Sequence, residues 1–298
     1  MRKINDVTQE FVMNIIPARA QDSHKGSFGS VLNIAGSKNY PGAAYLSSYA
    51  PLKVGCGYVT LASIEPVIAS VAAKTSEIVF YYTRQDDYTI SAKAVRDLVK
   101  LANKHKVISI GCGLNTTAYQ GNEIDMFVND FFNELIESEK IFIVDADALN
   151  SVSRLKNFVF PKNSIITPHP KELSRLLNVE IDDILADKIK YAEIAADKYG
   201  VTIVLKGHET VIADQENVYV NHNGNSALAK AGSGDVLTGI IAGFAAQGAS
   251  PAEAAALSVY LHGLAGKIAA EKMTQYGVVA SDLIEYLPLA IKYLFSAN

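Results

Sequence analysis

The chain has few of the residues that mark secreted, zinc-binding or nucleic-acid-binding proteins. It contains only two cysteines, Cys56 and Cys112, each between glycines and far from the other, which fits neither a disulfide framework nor a zinc pattern. We therefore expect a reducing, cytoplasmic location. The 27 basic and 31 acidic side chains give a net charge of −4 without a run of lysine or arginine, so a nucleic-acid partner is not expected.

Long hydrophobic runs are absent as well. The N-terminal MRKINDVTQEFVMNIIP places charges on both sides of short apolar pieces and lacks the continuous core of a signal peptide. The apolar stretch from 237 to 270 is interrupted by Gln247, Pro251, Glu253 and His262. This stretch predicts buried helices, and no membrane partner is expected.

The two best-known nucleotide signatures are also missing. The sequence has no GxxxxGK[ST] and no GxGxxG placed between a strand and a helix. Four histidines, His24, His105, His222 and His262, show no metal-ligand spacing and receive no role. The fifteen tyrosines form no stripe suited to stacking nucleic-acid bases.

Short β-rich runs alternate with longer helical patterns, which predicts an α/β fold. The candidate strands are 30–35, 58–62, 78–82, 107–110, 141–144, 164–166 and 202–205, and their Val, Ile and Leu content predicts burial on both faces. Helical patterns include 92–102, 122–137 and 171–177, and a hairpin is predicted at 210–213 and 218–220. We expect one domain over 1–298, a doubly wound, mainly parallel sheet with helices on both faces.

Polar or glycine-rich loops follow five of these strands. They read GSKNYPGAA at 36, GCGLN at 111, DADALN at 145, TPHPKE at 167 and KGHET at 206. Open α/β sheets bind ligands outside the carboxyl ends of their strands, where the strand order reverses. The following residues are therefore predicted to gather around one crevice: Ala43, Gly113, His169, Lys206 and Gly234.

The stretch ALAKAGSGDVLTGIIAG at 227–243 places three small residues and a carboxylate before an apolar helix. A helix N-terminus has unpaired N–H groups and a partial positive charge, so this glycine-lined turn predicts an anion cradle. Asp235 has two interpretations. It is either an N-cap or favourable partner of the helix dipole, or a catalytic base beside bound phosphates.

Other loops carry similar alternatives. His169 lies between two prolines, which predicts either a simple helix start or a substrate-binding side chain held at the rim. The KGHET segment that begins at Lys206 is either a turn with a surface lysine or a set of backbone donors for a nucleotide. Asp145 and Asp147 either cap a helix or order the rim and a magnesium hydration shell.

Four ordered motifs carry a family resemblance. NGNSALAKAGSGDVLTGIIAG, VDADALN, ITPHPKE and VLKGHETVIA resemble the ribokinase-like family of ADP- or ATP-dependent (S)-NAD(P)H-hydrate dehydratases, over roughly Lys25 to the C-terminus. The resemblance implies a lyase that repairs hydrated NADH or NADPH. A nucleotide phosphorylates the hydrate hydroxyl, phosphate is then eliminated, and Mg²⁺ is the expected cofactor.

The resemblance also assigns residues. Asp235 is implied as the catalytic residue. The positions implied to bind the hydrate (NAD(P)HX) are Ala43, Gly113, His169 and Asp235. Those implied to bind ADP or AMP are Lys206, Gly207, His208, Glu209, Thr210, Ser233 and Gly234. Many relatives have proline where this chain has Cys112.

The resemblance further implies a homotetramer with a separate NAD(P)HX epimerase as functional partner, since an epimerase domain fused in many relatives has no room here. The preference between ADP and ATP stays open, although stand-alone bacterial relatives resemble ADP users.

Two other functions remain. One is a small-molecule kinase of the same fold, acting on a vitamin-precursor alcohol. The other is a nucleotide sensor without turnover, which the carboxylate of Asp235 disfavours.

Overall fold

A ten-stranded sheet lies at the centre of the structure, a computed structural model that describes residues 2–115 and 122–296. Its strands are β1 (Lys3–Asp6), β2 (Ser30–Ile34), β3 (Tyr58–Ser63), β4 (Val79–Tyr82), β7 (Val107–Ile110), β8 (Ile141–Val144), β9 (Ser164–Ile166), β10 (Thr202–Leu205), β11 (Thr210–Ala213) and β12 (Asn217–Asn221). Two short strands, β5 (Gln85–Asp86) and β6 (Thr89–Ile90), pair separately.

The strand order is β1-β12-β11-β10-β9-β8-β7-β2-β3-β4. Neighbouring strands are parallel except where β11 pairs with β10 and β12. From β2 the chain moves outward through β3 to β4, and it then crosses to β7 on the other side of β2. The strand order therefore reverses between β2 and β7. The predicted doubly wound, mainly parallel sheet is confirmed.

Helices cover both faces of the sheet. They are α1 (Gln9–Ile15), α2 (Pro41–Lys53), α3 (Glu65–Ala72), α4 (Val95–Ala102), α5 (Asn122–Asn133), α6 (Ala146–Arg154), α7 (Pro170–Leu177), α8 (Ile181–Ala186), α9 (Lys188–Tyr199), α10 (Ser233–Ala246), α11 (Pro251–Met273) and α12 (Ala280–Ser296). Helices α3 to α9 share one hydrophobic core, and α1, α10, α11 and α12 share the other. Strand side chains alternate between the cores, Leu32 and Ile34 in the first and Val31 in the second.

The structure corrects the predicted elements in four places. β4 is an edge strand with a single neighbour, so Val79 and Tyr82 are 52% and 63% exposed and the expected burial on both faces is wrong there. β1 was not predicted because KIND has no alternating apolar pattern, and pairing with β12 supplies its order. The helix predicted from 92 begins as a 3-10 turn before α4, and α5 ends at Asn133.

The apolar stretch from 237 to 270 folds as the buried helices α10 and α11, as predicted. Ser250 and Glu253 form a capping box at the start of α11, with Pro251 in the first turn. Within residues 2–115 and 122–296, no helix is long and apolar enough to cross a membrane.

Glycines let α10 lie directly on α2. A Cβ atom added to Gly243 would lie 2.5 Å from Cγ2 of Val54 and 2.9 Å from Cα of Pro51. One added to Gly239 would lie 2.8 Å from the carbonyl oxygen of Ser47. This close approach holds α10 against the sheet, where it also contacts β2, β7 and β8, the strands around the switch point.

Replacing Gly243 with valine should therefore force α10 away from α2. We expect Gly243→Val to lower the free energy of unfolding by about 1–3 kcal/mol, as overpacking of a close-packed core does. Gly42→Ala is the matched control, because Gly42 is also helical and an added Cβ would meet no atom within 4 Å. Urea unfolding measures both variants, and a Gly243→Val midpoint equal to that of wild type would contradict this account of the packing.

Candidate functional site

A pocket of about 990 Å³ opens at the ends of β9 and β10 and at the start of α10. The predicted site residues that line it are His169, Lys206, Gly207, His208, Thr210, Ser233 and Gly234. Other lining side chains come from β12, α10 and α11, namely Asn221, Leu237, Val259 and His262. The pocket thus joins the TPHPKE, KGHET and GSGD segments, which are far apart in the sequence.

The GSGD turn presents free backbone donors. Gly232 precedes α10 with φ 89°, in the left-handed region that favours glycine. No side chain caps the helix. Within the part of the chain that the structure describes, the amides of Gly234 and Asp235 have no hydrogen-bond acceptor. The first turn of α10 can therefore receive an anion. Gly232 is the N-cap, so the N-cap interpretation of Asp235 is wrong, whereas its place in the first turn suits a partner of the helix dipole.

Asp235 has the properties of a general base. Its carboxylate is half-buried and lies beside the Cys112 thiol. Burial, and then the negative charge of Asp145, raise the pKa of Asp235 to about 6. Such a carboxylate is mostly ionised at neutral pH and is more basic than an ordinary aspartate. It is therefore suited to accept a proton from a substrate hydroxyl.

A buried ion cluster lies beside this turn. The Nζ atom of Lys206 lies 2.8 Å from Oδ1 of Asp145 and 3.9 Å from Oε2 of Glu172. The Thr238 hydroxyl donates to Oδ2 of Asp145 at 2.7 Å. Asp145 and Glu172 are buried. Lys206 is therefore not the surface lysine that one interpretation of the sequence allowed.

The cluster fixes the charge of each member. Burial by itself would lower the pKa of Lys206, but Asp145 and Glu172 outweigh it and raise that pKa. Burial would likewise raise the pKa of Asp145, but Lys206 outweighs it and lowers that pKa. Glu172 is farther from the lysine, and burial raises its pKa to about 7. At neutral pH the cluster therefore holds a charged lysine, an ionised Asp145 and a partly protonated Glu172.

The charged lysine reaches the anion cradle. A Cβ atom added to Gly234 would lie 3.6 Å from Nζ of Lys206 and 3.9 Å from Oδ2 of Asp145. An ammonium group and a helix N-terminus thus face the same space. A phosphate there would be stabilised by both.

His169 starts α7 and also lines the pocket. Its Nδ1 accepts a hydrogen bond from the Glu172 amide at 3.1 Å, and its own amide donates to Oε2 of Glu172 at 2.8 Å. The helix-start interpretation is confirmed. Because Nδ1 accepts, the neutral ring carries its proton on Nε2. Burial, and then Lys206, lower the pKa of His169, so the ring offers the pocket a donor.

Ala43 and Gly113 lie together at the switch point. A Cβ atom added to Gly113, whose φ is 67°, would lie 2.8 Å from Cβ of Ala43 and 2.7 Å from Cβ of Tyr40. Both residues lie outside the pocket lining described above. Cys112, which precedes Gly113, connects them to Asp235. The site therefore has two halves, one on each side of the start of α10.

The two aspartates of DADALN have different partners. Asp145 occupies the capping position of α6, but its side chain makes no capping hydrogen bond and binds Lys206 and Thr238 instead. Asp147 lies in the first turn of α6, and its Oδ2 accepts the backbone amide of Asn115 at 2.7 Å. The structure thus decides between the two interpretations for Asp145. It orders the rim and does not cap the helix.

Glu209 differs from its neighbours in KGHET. Its side chain is exposed and lies 2.8 Å from Nδ1 of His222, whose Nε2 lies 3.1 Å from Oδ1 of Asp6. It is absent from the pocket lining, although Gly207, His208 and Thr210 are present. A contribution of Glu209 to the pocket would therefore come from its backbone.

Sequence reasoning missed three side chains of the site. His262 of α11 lies with its Nε2 3.1 Å from Oγ of Ser233, and it lines the pocket. Glu172 and Cys112 contact Lys206 and Asp235. One available signal was the position of His262 as a titratable side chain within the largely apolar run AAALSVYLHGLAG. A buried polar side chain needs a partner.

The described residues do not form a magnesium cage. Within 2–115 and 122–296, no group of three or more His, Cys, Asp or Glu side chains is placed to hold a metal. Both carboxylate oxygens of Asp145 already bind Lys206 and Thr238. Mg²⁺ in nucleotide enzymes commonly keeps several waters and is held through substrate phosphates. The described residues therefore fit a magnesium ion that arrives with a nucleotide, and they do not fit one held in a dedicated protein site.

These features together define a class of protein. A free helix N-terminus, a largely buried lysine and a carboxylate of raised pKa lie together at the carboxyl edge of a doubly wound sheet. Positioned amides, a cation and a base for the accepting hydroxyl are what phosphoryl transfer from a nucleotide requires. The arrangement suits the class of proteins that transfer a phosphoryl group from a nucleotide.

Comparison with known proteins gives the particular family. A family model described as NAD(P)H-hydrate dehydratase matches residues 31–289, so the chain belongs to the NAD(P)H-hydrate dehydratase family. It is 37% identical over 293 residues to a bifunctional NAD(P)H-hydrate repair enzyme of Moorella thermoacetica, covering 97% of this chain and 54% of that one. The chain therefore spans about half the length of this relative. It is 33% identical to an ADP-dependent (S)-NAD(P)H-hydrate dehydratase of Neisseria meningitidis, covering 94% and 90%.

Solved structures agree. The ADP/ATP-dependent NAD(P)H-hydrate dehydratase of Bacillus subtilis, co-crystallised with ATP/Mg²⁺, superposes with a TM-score of 0.84 at 29% identity, covering 97% of this chain and 98% of that one. A ribokinase-like superfamily protein of Enterococcus faecalis superposes with a TM-score of 0.84 at 28% identity, covering 98% and 96%. The ribokinase-like fold is confirmed.

Removing the lysine of the ion cluster should destabilise the fold. Lys206→Met leaves buried carboxylates unpaired, and we expect a loss of about 3–5 kcal/mol at pH 8. The loss should shrink toward pH 5. Without the lysine the folded-state pKa values of Asp145 and Glu172 rise above their unfolded values, so protonation at low pH relieves the penalty.

Urea unfolding at the two pH values measures this loss. Lys188→Met is the matched control, because that lysine lies at the same rim and donates only to the Glu209 carbonyl at 3.4 Å. A Lys206→Met loss that is small, or that does not depend on pH, would contradict the charge assignment.

Proposed function

We propose that this protein catalyses the ADP- or ATP-dependent dehydration of the S epimer of hydrated NADH and NADPH and so restores the intact dinucleotide. The observation that carries the proposal is Asp235, a carboxylate with a pKa of about 6 at the open N-terminus of α10 beside a charged lysine. The names of the relatives from Neisseria meningitidis and Bacillus subtilis support the substrate and the nucleotide.

In the first step the hydrate hydroxyl attacks the terminal phosphoryl group of the nucleotide. Asp235 accepts the hydroxyl proton as the new oxygen–phosphorus bond forms and the bond to the nucleotide breaks. The products are a phosphate ester and AMP, or ADP when ATP is the donor. The amides at the start of α10 and the Lys206 ammonium stabilise the charge on the transferred group.

In the second step phosphate leaves. The carbon–oxygen bond breaks, phosphate departs with the bonding electrons, and the neighbouring ring carbon releases a proton to solvent, so that its former C–H electrons form the double bond of the reduced nicotinamide. Hydroxide is a poor leaving group and phosphate is a good one. The phosphorylation in the first step therefore makes the loss of water feasible.

The two halves of the site support the binding of two ligands side by side. The half that contains Lys206, Gly207, Thr210 and Ser233 is a pocket of about 990 Å³, large enough for a nucleotide. The half that contains Ala43 and Gly113 is where the family resemblance implies hydrate binding, and there the segment of Gly113 packs closely on Tyr40 and Ala43. Asp235 lies between the halves, where the hydroxyl and the terminal phosphate would meet.

Further parts of the proposal rest on the family. Mg²⁺ would accompany the nucleotide phosphates and neutralise part of their charge, since the relative from Bacillus subtilis was crystallised with ATP/Mg²⁺. The bifunctional name of the Moorella thermoacetica relative, whose length this chain half covers, supports a second repair activity as functional partner. A homotetramer, a separate epimerase and a cytoplasmic location stay predictions.

A product test distinguishes the dehydratase from a small-molecule kinase. Hydrated NADH is incubated with the protein and ADP or ATP, and absorbance near ~340 nm reports the reduced nicotinamide that carries the hydride. We expect this absorbance to recover while free phosphate accumulates. A stable phosphorylated product without recovery would instead indicate a kinase, and nucleotide binding without any product would indicate a sensor.

Asp235→Asn keeps the size of the side chain but cannot accept a proton. We expect turnover to fall by roughly a hundred-fold to ten-thousand-fold, as loss of a positioned base does. ADP affinity should change little, because the amides of the cradle remain. In wild type, turnover should fall as pH drops below about 6, since protonated Asp235 cannot act as a base.

Asp282→Asn is the matched control, because Asp282 is a first-turn carboxylate of α12 that lies outside the site. Turnover, an ADP titration and thermal melting are measured for both variants. Near-normal turnover in a folded Asp235→Asn variant would remove Asp235 from catalysis.

Two substitutions of His169 separate its helix-capping and binding roles. His169→Asn retains a capping acceptor but loses the ring donor, whereas His169→Ala loses both and should also cost about 1 kcal/mol of stability. His169 lines the large pocket that we assign to the nucleotide, whereas the family resemblance assigns it to the hydrate. On the family assignment we expect both substitutions to weaken hydrate binding about tenfold, the cost of a hydrogen bond, and to weaken ADP binding less. Titrations with hydrated NADH and with ADP measure this. Wild-type hydrate affinity in His169→Asn would show that the histidine serves only the helix.

A further inference from the structure

The contact between His262 and Ser233 has no part in the scheme above. Nε2 of His262 lies 3.1 Å from Oγ of Ser233, although 29 positions separate the two residues. His262 is 7% and Ser233 5% exposed, and the small area that remains open on each faces the same pocket. The ring thus faces the first residue of α10, and the backbone of Ser233 as well as its hydroxyl contributes to the environment of the imidazole.

We propose that His262 is a positioning residue that holds the Ser233 hydroxyl as a hydrogen-bond donor to the phosphates of the bound nucleotide. The inference rests on the proposed nucleotide-dependent function and adds a second layer to its phosphate cradle. Ser233 is the first residue of α10 and precedes Gly234. Its hydroxyl therefore lies beside the free amides of the first helical turn.

The chemistry of the ring gives the direction of the hydrogen bond. A neutral imidazole carries one N–H, so Nε2 can either donate to the serine oxygen or accept from its hydroxyl. Phosphate oxygens only accept. A phosphate beside Ser233 therefore selects the arrangement in which Nε2–H donates to Oγ, which leaves the hydroxyl proton for the phosphate.

His262 acts through this hydrogen bond and not through charge. Burial lowers the pKa of His262 to about 4, so the ring is neutral at physiological pH. Lys206 supplies the positive charge of the cradle, as described above. The surroundings also fix the ring in place, because α11 packs closely on the segment before the GSGD turn. A Cβ atom added to Gly263 would lie 2.6 Å from the Asn223 carbonyl oxygen.

A double-mutant cycle tests the proposal. ADP is titrated into wild type, Ser233→Ala, His262→Leu and the double variant, each with intact folding by thermal melting. We expect each single substitution to weaken ADP binding about tenfold, the scale of one hydrogen bond to a charged group. The double variant should bind ADP no more weakly than Ser233→Ala, because the histidine acts only through the serine.

Adenosine binding distinguishes the proposed role of His262 from a merely structural one. It lacks phosphate, so its affinity should be the same in wild type and in His262→Leu. His262→Gln should bind ADP more tightly than His262→Leu, because its amide can still donate to Oγ of Ser233. The His262→Gln variant also allows the proposal to be tested if His262→Leu does not fold. His105→Gln is the matched control, a buried histidine that contacts Thr60 and Leu101 and should leave ADP affinity unchanged.

Three outcomes would overturn the inference. In the first, the effects of the two single substitutions on ADP affinity multiply in the double variant. In the second, adenosine affinity falls as much as ADP affinity. In the third, His262→Gln binds ADP as weakly as His262→Leu does. The proposed function fails separately. If wild type binds no ADP, or restores no NADH from its hydrate, the dehydratase assignment is wrong. If it does both and the cycle is additive, only the role of His262 is wrong.

Discussion

The ion pair between Lys206 and Asp145 is the contact on which the site depends. It joins the end of β10 to the end of β8 across 61 positions of sequence, and Thr238 ties the same carboxylate to α10 across 93. Charges removed from water are costly unless they are paired and hydrogen-bonded, so neither strand end can move without exposing an unpaired charge. The pair therefore holds the ends of β8 and β10 and helix α10 in fixed relative positions.

The same pair sets the proton chemistry of the base. Burial and the negative charge of Asp145 raise the pKa of Asp235, whereas the Cys112 thiol and the positive charge of Lys206 lower it. The balance lies near 6. A lysine without Asp145 would make Asp235 a weaker base, and an aspartate without the lysine would leave the phosphate cradle without its cation. Asp145 and Lys206 thus stabilise the structure as an ion pair and also set the pKa of Asp235.

Local patterns in the sequence predicted most of the sheet and the loops at its carboxyl edge, because strand composition and turn residues act over short distances. They could not decide whether Asp145 capped a helix, since its partner Lys206 lies 61 positions away. They left His262 without a role for the same reason. Its partner is in another helix, and only packing of α11 beside α10 brings the two together. β1 needed its neighbour β12 to become a strand.

Helix geometry explains how three consecutive residues can serve both halves of the site. Successive residues of an α-helix are rotated by about 100°, so Ser233 and Asp235 point to different sides of α10. Ser233 faces His262 and the large pocket, whereas Asp235 faces Cys112 and the loop that carries Gly113. Gly234 lies between them, where any larger side chain would point toward Lys206. A base and a phosphate cradle on one helical turn must stay in fixed relation, which is what transfer between two bound ligands requires.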